Sequence, residues 1–161
     1  MFIFKQRIVD SALQDWHADL NESRKALHYK HFKTLLSVER YLTLKIPLKY
    51  KIAFSKLRCS NHSLLVETGR HHNIFYADRI CILCNLQEIE DEFHVVARCT
   101  FYNDLRNQYL SDILSDNNNQ FYNVYDFYRL MSTHDSDKIL KLAKFTYEMF
   151  NKRTLFLNQD A

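Results

Sequence analysis

The sequence predicts an all-α fold, on the basis of its composition and its periodicity. One glycine and one proline among 161 residues leave little material for β-hairpin turns or a glycine-rich phosphate loop. Hydrophobic residues make up 47% of the chain and aromatic residues 14%, which is enough apolar surface to bury a core. Most apolar residues recur every three or four positions. We therefore expect residues 1–161 to form a single helical domain.

Two helices are predicted in the N-terminal part. Residues 4–21 carry apolar side chains at helical spacing, and Trp16 is interpreted as a core anchor because apolar neighbours share its face. A second helix is expected at about residues 24–36. His28 and His31 lie on one face of it, but no thiol or acidic residue accompanies them, which favours ordinary histidines over a metal site.

Residues 40–66 contain the whole positive excess of the chain. They hold six of its 22 cationic residues and none of its 19 acidic ones, so the remainder has 16 cations against 19 anions. Pro47 suits the first turn of a helix, because its φ is already helical and its missing N–H needs no partner there. We expect a basic helix over residues 45–58. The six cations are Arg40, Lys45, Lys49, Lys51, Lys56 and Arg58.

The two sides of this basic helix predict different roles. Tyr50, Phe54 and Leu57 fall on one side, which is expected to pack on the core. Cationic side chains would then point outward and attract a nucleic-acid phosphate backbone through counterion release. The alternative is a solvated cationic face that is balanced by acidic segments elsewhere in the fold. The outward-facing cations are Lys49, Lys51, Lys56 and Arg58.

A short helix is expected over residues 63–70. Ser63 is its predicted N-cap, and Gly69 is its predicted left-handed C-cap. Cys59 and His62 form a C-x2-H pair just before it. A second thiol is missing from this pair, so Cys59 is better interpreted as a small core residue than as a metal ligand.

The clearest site in the sequence is a Cys/His cluster with the pattern C-x2-C-x9-H-x4-C. It consists of Cys81, Cys84, His94 and Cys99. Zn²⁺ takes four such ligands in a tetrahedron, and two cysteines three positions apart can reach one ion from a tight turn. His94 and Cys99 are five positions apart, which requires a distortion of the helix between them. The alternative is three buried thiols and a partly buried imidazole.

The residues around this cluster fit a structural zinc site within a segment of about residues 75–110. Three thiolates and one Zn²⁺ leave a net negative charge, which Arg79 and Arg98 can offset. The acidic residues between Glu88 and Glu92 are expected to lie in the first turn of the helix that carries His94. All four ligands come from the protein, so no position is open for a catalytic water.

Helices also dominate the predicted C-terminal part. Thr100 is expected to cap a helix that ends at about Leu114, and a polar loop is expected over residues 115–119. A further helix is predicted near residues 124–131, and Ser136 is expected to cap the last helix. The apolar residues 155–157 near the C-terminus are a candidate contact for a protein partner.

Five segments in a fixed order carry a resemblance to a known family. The succession resembles the zinc-binding domain at the C-terminal end of reverse transcriptases from LINE-type (non-LTR) retrotransposons. This resemblance covers about residues 50–110 and implies a CCHC zinc site and a role in handling nucleic acid beside a polymerase. It also implies that Arg58, Arg70 and Arg79 contact the backbone. The segments are Leu57-Arg58-Cys59-Ser60-Asn61-His62, Glu67-Thr68-Gly69-Arg70, Arg79-Ile80-Cys81-Ile82-Leu83-Cys84, Ile89-Glu90-Asp91-Glu92-Phe93-His94 and Cys99-Thr100-Phe101-Tyr102.

Several activities and locations are not expected from the sequence. Polymerase chemistry needs adjacent carboxylates for paired Mg²⁺ ions, whereas Asp78 is followed by Arg79 and no Asp-Asp pair occurs in the chain. No catalytic triad, small-molecule site, membrane span or secretory leader is evident. We expect an intracellular protein, nuclear or cytoplasmic, that uses Zn²⁺ and binds RNA or DNA. The alternative is a structural or protein-interaction domain that zinc only staples together.

Overall fold

A computed structural model describes residues 2–25, 27–114 and 123–159. The described chain is mostly helical, as the composition predicts, and the only β-pairing in these residues is an isolated antiparallel bridge between Ile80 and Ile89. The predicted polar loop at residues 115–119 lies outside the described residues. The helices are α1 (Phe2–Glu22), α2 (Tyr29–Phe32), α3 (Arg40–Thr43), α4 (Leu48–Arg58), α5 (Leu65–His71), α6 (Asn103–Tyr109), α7 (Ser111–Leu114), α8 (Val124–Met131) and α9 (Ser136–Gln159).

The core is built on α9, the longest helix. Helix α4 packs along it, and α6 packs beside α4 on the same long helix. Phe54 and Leu57 from α4 meet Phe145 and Met149 from α9 in one buried cluster. Burial of side chains of this size stabilises a fold by about 1.5–3 kcal/mol each. The predicted basic helix is therefore present and ends where expected, but it begins at Leu48 instead of residue 45, and Tyr50, Phe54 and Leu57 face the core as predicted.

Helix α1 does not join this core. None of its described side chains from position 5 onward is buried, and Ile8 and Val9 are 59% and 52% exposed. Trp16 is only half-buried and stacks at a tilt on His17. The expectation that Trp16 anchors the core is wrong, because Trp16 is not among the residues that form the buried cluster or pack against it.

Further local predictions are wrong, because the backbone conformation at these positions differs from the expected one. The helix expected at residues 24–36 is reduced to α2, and residues 33–38 leave helical geometry. Gly69 does not cap α5 in a left-handed conformation, since it lies within the helix and has no positive φ. The left-handed residue after α5 is Asn73, with a φ of 55°. Ser63 is not the cap either, because Leu64 occupies that position.

The segment between α5 and α6 contains little regular structure. A 3₁₀ turn (Tyr76–Asp78) leads into the Ile80–Ile89 bridge, which closes a loop of ten residues. A π-helical turn (His94–Arg98) and a second 3₁₀ turn (Thr100–Tyr102) follow before α6 begins. Despite its irregularity, this segment supplies buried side chains to the same core, including Val95, Val96 and Tyr102. None of the described helices is both long and apolar enough to cross a membrane.

Candidate metal centre

The four predicted ligands come together in the irregular segment. One ligand atom from each of them lies within 4.8 Å of all the others, so the group is close enough to hold one metal ion. Three of the residues are buried, with exposed fractions of 3% for Cys81, 2% for His94 and 0% for Cys99, and Cys84 is partly exposed. Within the described residues no other set of three or more metal-ligating side chains forms such a group.

Two distances in the cluster fit a tetrahedral metal. Ligand bonds of about 2.3 Å from sulfur and about 2.0 Å from nitrogen separate two sulfurs by about 3.8 Å and a sulfur from a nitrogen by about 3.5 Å in a regular tetrahedron. The Cys81 Sγ and Cys99 Sγ atoms are 3.8 Å apart. The Cys84 Sγ and His94 Nε2 atoms are 3.4 Å apart. These two distances match edges of a regular tetrahedron, and the group as a whole is close enough to hold one metal ion.

The first two ligands lie on the loop that the β-bridge closes. The Cys81 N–H donates to the Glu88 carbonyl at 2.8 Å, and the Glu90 N–H donates to the Arg79 carbonyl at 2.9 Å. Gln87 has a φ of 55°, which turns the returning strand of the loop. These backbone bonds fix the turn that brings the thiols of Cys81 and Cys84 to one side.

The other two ligands lie at the ends of the π-helical turn. The Cys99 N–H donates to the His94 carbonyl at 2.8 Å, a five-residue step that matches the spacing of the two ligands. An α-helix places residues five apart about 140° from each other, whereas a π turn has more residues per turn and brings them closer. Asp91 lies just before the turn, and its Oδ1 accepts from the His94 N–H at 2.7 Å. The distortion that the sequence requires is therefore a π turn.

Glu88 orients the imidazole of His94. Its Oε2 is 2.9 Å from His94 Nδ1, which leaves Nε2 directed at the thiols, and Arg98 binds the same carboxylate. Burial lowers the pKa of His94, but the Cys81 thiol and the Glu88 carboxylate outweigh burial and leave that pKa raised. A carboxylate on the outer nitrogen of a metal-binding histidine fixes its tautomer and raises its basicity. Arg98 thus lies beside the cluster and pairs with the carboxylate that contacts His94.

The buried thiols of Cys81 and Cys99 shift each other's pKa in opposite directions. The hydrogen bond with Cys99 lowers the pKa of Cys81, and the same bond raises the pKa of Cys99. Two thiols this close are opposed by mutual repulsion when both ionise. A divalent cation removes that opposition, because it binds both sulfurs as thiolates.

Glu90 attaches the irregular segment between α5 and α6 to the helical core. This fully buried carboxylate receives two hydrogen bonds from Arg153 of α9, at 2.9 and 2.8 Å, and one from the Leu65 N–H at 2.7 Å. Its own carbonyl accepts from the Val66 N–H at 3.1 Å. Glu90 was expected only as part of an acidic first turn, because no sequence signal links it to Arg153 across 63 positions.

A second buried arginine supports the π turn. Arg106 of α6 donates to the carbonyls of Val95 and Cys99 and to the side chain of Asn103. The carbonyls at the end of a helix lack intrahelical partners, and a buried guanidinium supplies several donors at once. Tyr102 follows Cys99 closely and is fully buried.

A buried polar network lies beside the Cys/His cluster. The sequence analysis did not predict this network. The Glu92 carboxylate is bound by Ser60 Oγ at 2.5 Å and by His62 Nε2 at 2.9 Å. His28 Nε2 binds Asp91 Oδ2 at 3.1 Å, and its Nδ1 is 3.2 Å from the Tyr128 hydroxyl. His28 and His62 are thus hydrogen-bond partners of the Asp91 and Glu92 carboxylates. The i, i+3 spacing of His28 and His31 gave no indication of an ion pair 63 positions away.

Arg58 is not on the outer surface, contrary to prediction. It is 5% exposed, its Nη2 binds Glu39 Oε2 at 3.0 Å, and its Nη1 binds the Met131 carbonyl. The guanidinium also lies 4.6 Å from the centre of the Phe32 ring. A phosphate backbone cannot reach a group enclosed in this way, so the assignment of Arg58 as a backbone contact is corrected to a core ion pair.

Arg70 and Arg79 also have intramolecular partners. Arg70 binds Glu67 at 2.8 Å. Arg79 donates twice to the Ile74 carbonyl, at 3.0 and 2.9 Å, and once to the Val66 carbonyl at 2.8 Å. Both arginines are half-buried. Both guanidinium groups are therefore already engaged within the protein.

The lysines of α4 do face outward. Lys49 and Lys56 are exposed, and Lys51 is half-buried with its ammonium bound to the Leu42 carbonyl at 2.9 Å. Lys49 Nζ lies 4.8 Å from the centre of the Tyr147 ring and 5.0 Å from that of Tyr50. No acidic side chain of the described residues forms an ion pair with any of these three lysines.

Comparison with known proteins adds no assignment. Neither a protein-family model, nor a curated protein, nor a solved structure matches the chain significantly.

Proposed function

We propose that one structural Zn²⁺ ion is bound by Cys81, Cys84, His94 and Cys99. The bound ion would stabilise the irregular segment of a non-catalytic helical module. The observation that carries the proposal is the close approach of three sulfurs and one imidazole nitrogen, which all lie within 4.8 Å of one another. Soft thiolates with one imidazole are a ligand set that zinc favours. Four protein ligands leave no place for the water that a catalytic zinc activates.

Metal analysis of the purified protein tests this proposal. We expect about one zinc per chain, and Co²⁺ exchanged into the site should give the intense visible absorption of tetrahedral thiolate coordination. Cys99→Ser should lose the metal. Cys59→Ser is the matched control, because Cys59 is exposed and lies outside the cluster. Iron instead of zinc, an empty protein, or equal zinc content in the two variants would each overturn the assignment.

A second candidate function is binding of an RNA or DNA backbone by the lysines of α4. It is supported by the outward position of Lys49 and Lys56 and by the lack of acidic partners for them among the described residues. The resemblance to the retrotransposon zinc domain remains part of this proposal and is not its basis. Because Arg58 is not accessible to a phosphate backbone, fewer cations can contact the nucleic acid than the sequence predicts, and the proposed contact area is smaller.

Salt dependence tests the second candidate. Zinc-loaded protein should bind a labelled oligonucleotide at about 50 mM salt, and its affinity should fall steeply towards about 200 mM. Absence of binding at the lower salt, with zinc present, would leave the structural role of the domain as its function. The apolar residues near the C-terminus, of which Leu155 is 63% exposed, would then be the first surface to probe for a protein partner.

A further inference from the structure

A groove between α4 and α9 has the properties of a nucleic-acid site. It encloses about 610 Å³, within the range of small-molecule and cofactor pockets. Its walls come from α4, from the loop before α5 and from the C-terminal half of α9. None of the described residues that line it is acidic. The residues that bear on recognition are Lys49, Lys56, Asn61, Ser63, Tyr147 and Asn151.

The two lysines at the groove are placed to hold a backbone. Lys49 and Lys56 are seven positions apart on α4, so they lie on the same side of the helix, separated by about 10.5 Å along its axis. Both are exposed, and neither forms an ion pair with a described residue. Two ammonium groups at this separation can bind different phosphates of one strand.

The groove also offers an aromatic surface beside the cations. The Tyr147 ring is half-buried and lies nearly perpendicular to the Tyr50 ring. Lys49 Nζ lies over the Tyr147 ring, 4.8 Å from its centre. Base stacking on such a ring requires an exposed base face, which a duplex conceals and a single strand presents. An acidic peptide would satisfy the lysines but would make no use of the ring.

Polar side chains without partners complete the site. Those of Asn61, Ser63 and Asn151 make no hydrogen bond to another described residue, although they line the same groove. Amide side chains both donate and accept, so they can bind the edge of an unpaired base or a sugar hydroxyl. The floor is fixed, since His62 is buried and bound to Glu92 at 2.9 Å.

We propose that this groove binds single-stranded nucleic acid, with phosphates on Lys49 and Lys56 and one base stacked on Tyr147. The proposal rests on the second candidate function and specifies its site and its ligand. It does not depend on Arg58, Arg70 or Arg79. It predicts that the single strand is preferred over a duplex of the same length.

The test is fluorescence anisotropy with oligothymidine and oligouridine probes of about 12 nucleotides and a duplex of the same length, using zinc-loaded full chain. The Lys49→Gln/Lys56→Gln variant should reduce the slope of log affinity against log salt by about 1.4, since each lost phosphate contact removes about 0.7. Tyr147→Leu should weaken binding at least about fivefold, the lower limit for loss of one stacked base. Lys138→Gln, an exposed lysine at the start of α9, is the control and should change little.

The possible outcomes distinguish binding in the groove from nucleic-acid binding elsewhere on the protein. If the wild-type chain binds the probes but the groove variants match Lys138→Gln, the groove proposal is wrong and backbone binding elsewhere stands. Absence of binding by zinc-loaded wild type overturns both. Equal affinity for the duplex, or equal competition by polyglutamate, rejects a single-strand site in favour of a general anion site. Circular dichroism and zinc content verify that each variant is folded, and Tyr147→Phe, which keeps the ring, should retain binding.

Discussion

At the scale of single residues, buried charges hold the irregular segment on the helices. Glu90 and Arg153 form a two-bond ion pair inside the protein, and the Leu65 N–H shares the same carboxylate. Removal of one charge from a buried pair leaves the other without compensation, which typically costs about 3–5 kcal/mol. The metal would then have to stabilise a segment that had lost its attachment to α9.

We expect Glu90→Gln to lower the free energy of unfolding by about 3–5 kcal/mol in urea denaturation at saturating zinc. Asp104→Asn is the control, since it removes an ion pair with Lys152 of the same long helix, α9, in which Asp104 is 63% exposed. Exposed pairs contribute about 0–1 kcal/mol. A similar loss in the two variants would show that the buried pair has no special role.

Gly69 provides a second residue-scale prediction. A Cβ at this position would lie 2.9 Å from Arg79 Cγ and 3.0 Å from Arg79 Cδ, and the hydrogen bonds of the guanidinium oppose a shift of this side chain. Alanine favours a helix over glycine by about 1 kcal/mol, while overpacking costs about 1–3 kcal/mol. We expect Gly69→Ala to be destabilising by up to about 2 kcal/mol on balance.

A double-mutant cycle checks the origin of this effect. With Arg79→Ala in place, the obstructing side chain is gone, so Gly69→Ala should become neutral or stabilising in thermal or urea unfolding. If Gly69→Ala is equally harmful in both backgrounds, the close approach of Arg79 is not the reason for glycine at this position.

At the scale of elements, the described chain divides into helices that pack by their apolar sides and an irregular segment that carries the Cys/His cluster. Helices α4 and α9 form the most extensive helix pair among the described elements, and neither supplies a ligand. The ligands lie on a bridged loop and a π turn, which contain few backbone hydrogen bonds of regular type. Zinc binding can contribute about 10–16 kcal/mol in small zinc domains.

We therefore expect chelation to melt residues 80–102 first. Hydrogen exchange after treatment with EDTA should show loss of protection there, with α4 and α9 still protected. Addition of Zn²⁺ should restore the original pattern. Uniform loss of protection would indicate that the metal is required by the whole fold, and no change would indicate that it is not required at all.

The elements also show which features can be predicted from sequence. The bounds of α4 follow from Pro47 and from an apolar side of ordinary helical period, and the ligands follow from their spacing. Both are local patterns. The burial of Arg58 depends on Glu39 and on Met131, which lies 73 positions away, and no local pattern encodes that contact. For the same reason Trp16 was misplaced, since helical periodicity does not indicate whether a partner surface exists.

At the scale of the whole molecule, a network of histidines and carboxylates joins distant parts of the chain. His28 precedes α2, Asp91 precedes the π-helical turn that contains His94, and Tyr128 belongs to α8. Burial lowers the pKa of His28, but the hydrogen bond and charge of Asp91 outweigh it, so the pKa is raised above the ordinary 6.5. The protonated imidazole is thus favoured in the folded protein.

This shift gives a pH dependence with a defined sign. Because the folded pKa of His28 is above the unfolded one, its stabilisation is complete below about pH 6.5 and is lost as pH rises through the raised value. The difference in unfolding free energy between wild type and His28→Asn should therefore shrink from pH 6 to pH 8.5. Measuring the difference at saturating zinc cancels the opposite pH dependence of the thiols. A difference that stays constant or grows with pH would mean that His28 is neutral in the folded state, and that Asp91 serves only the π turn.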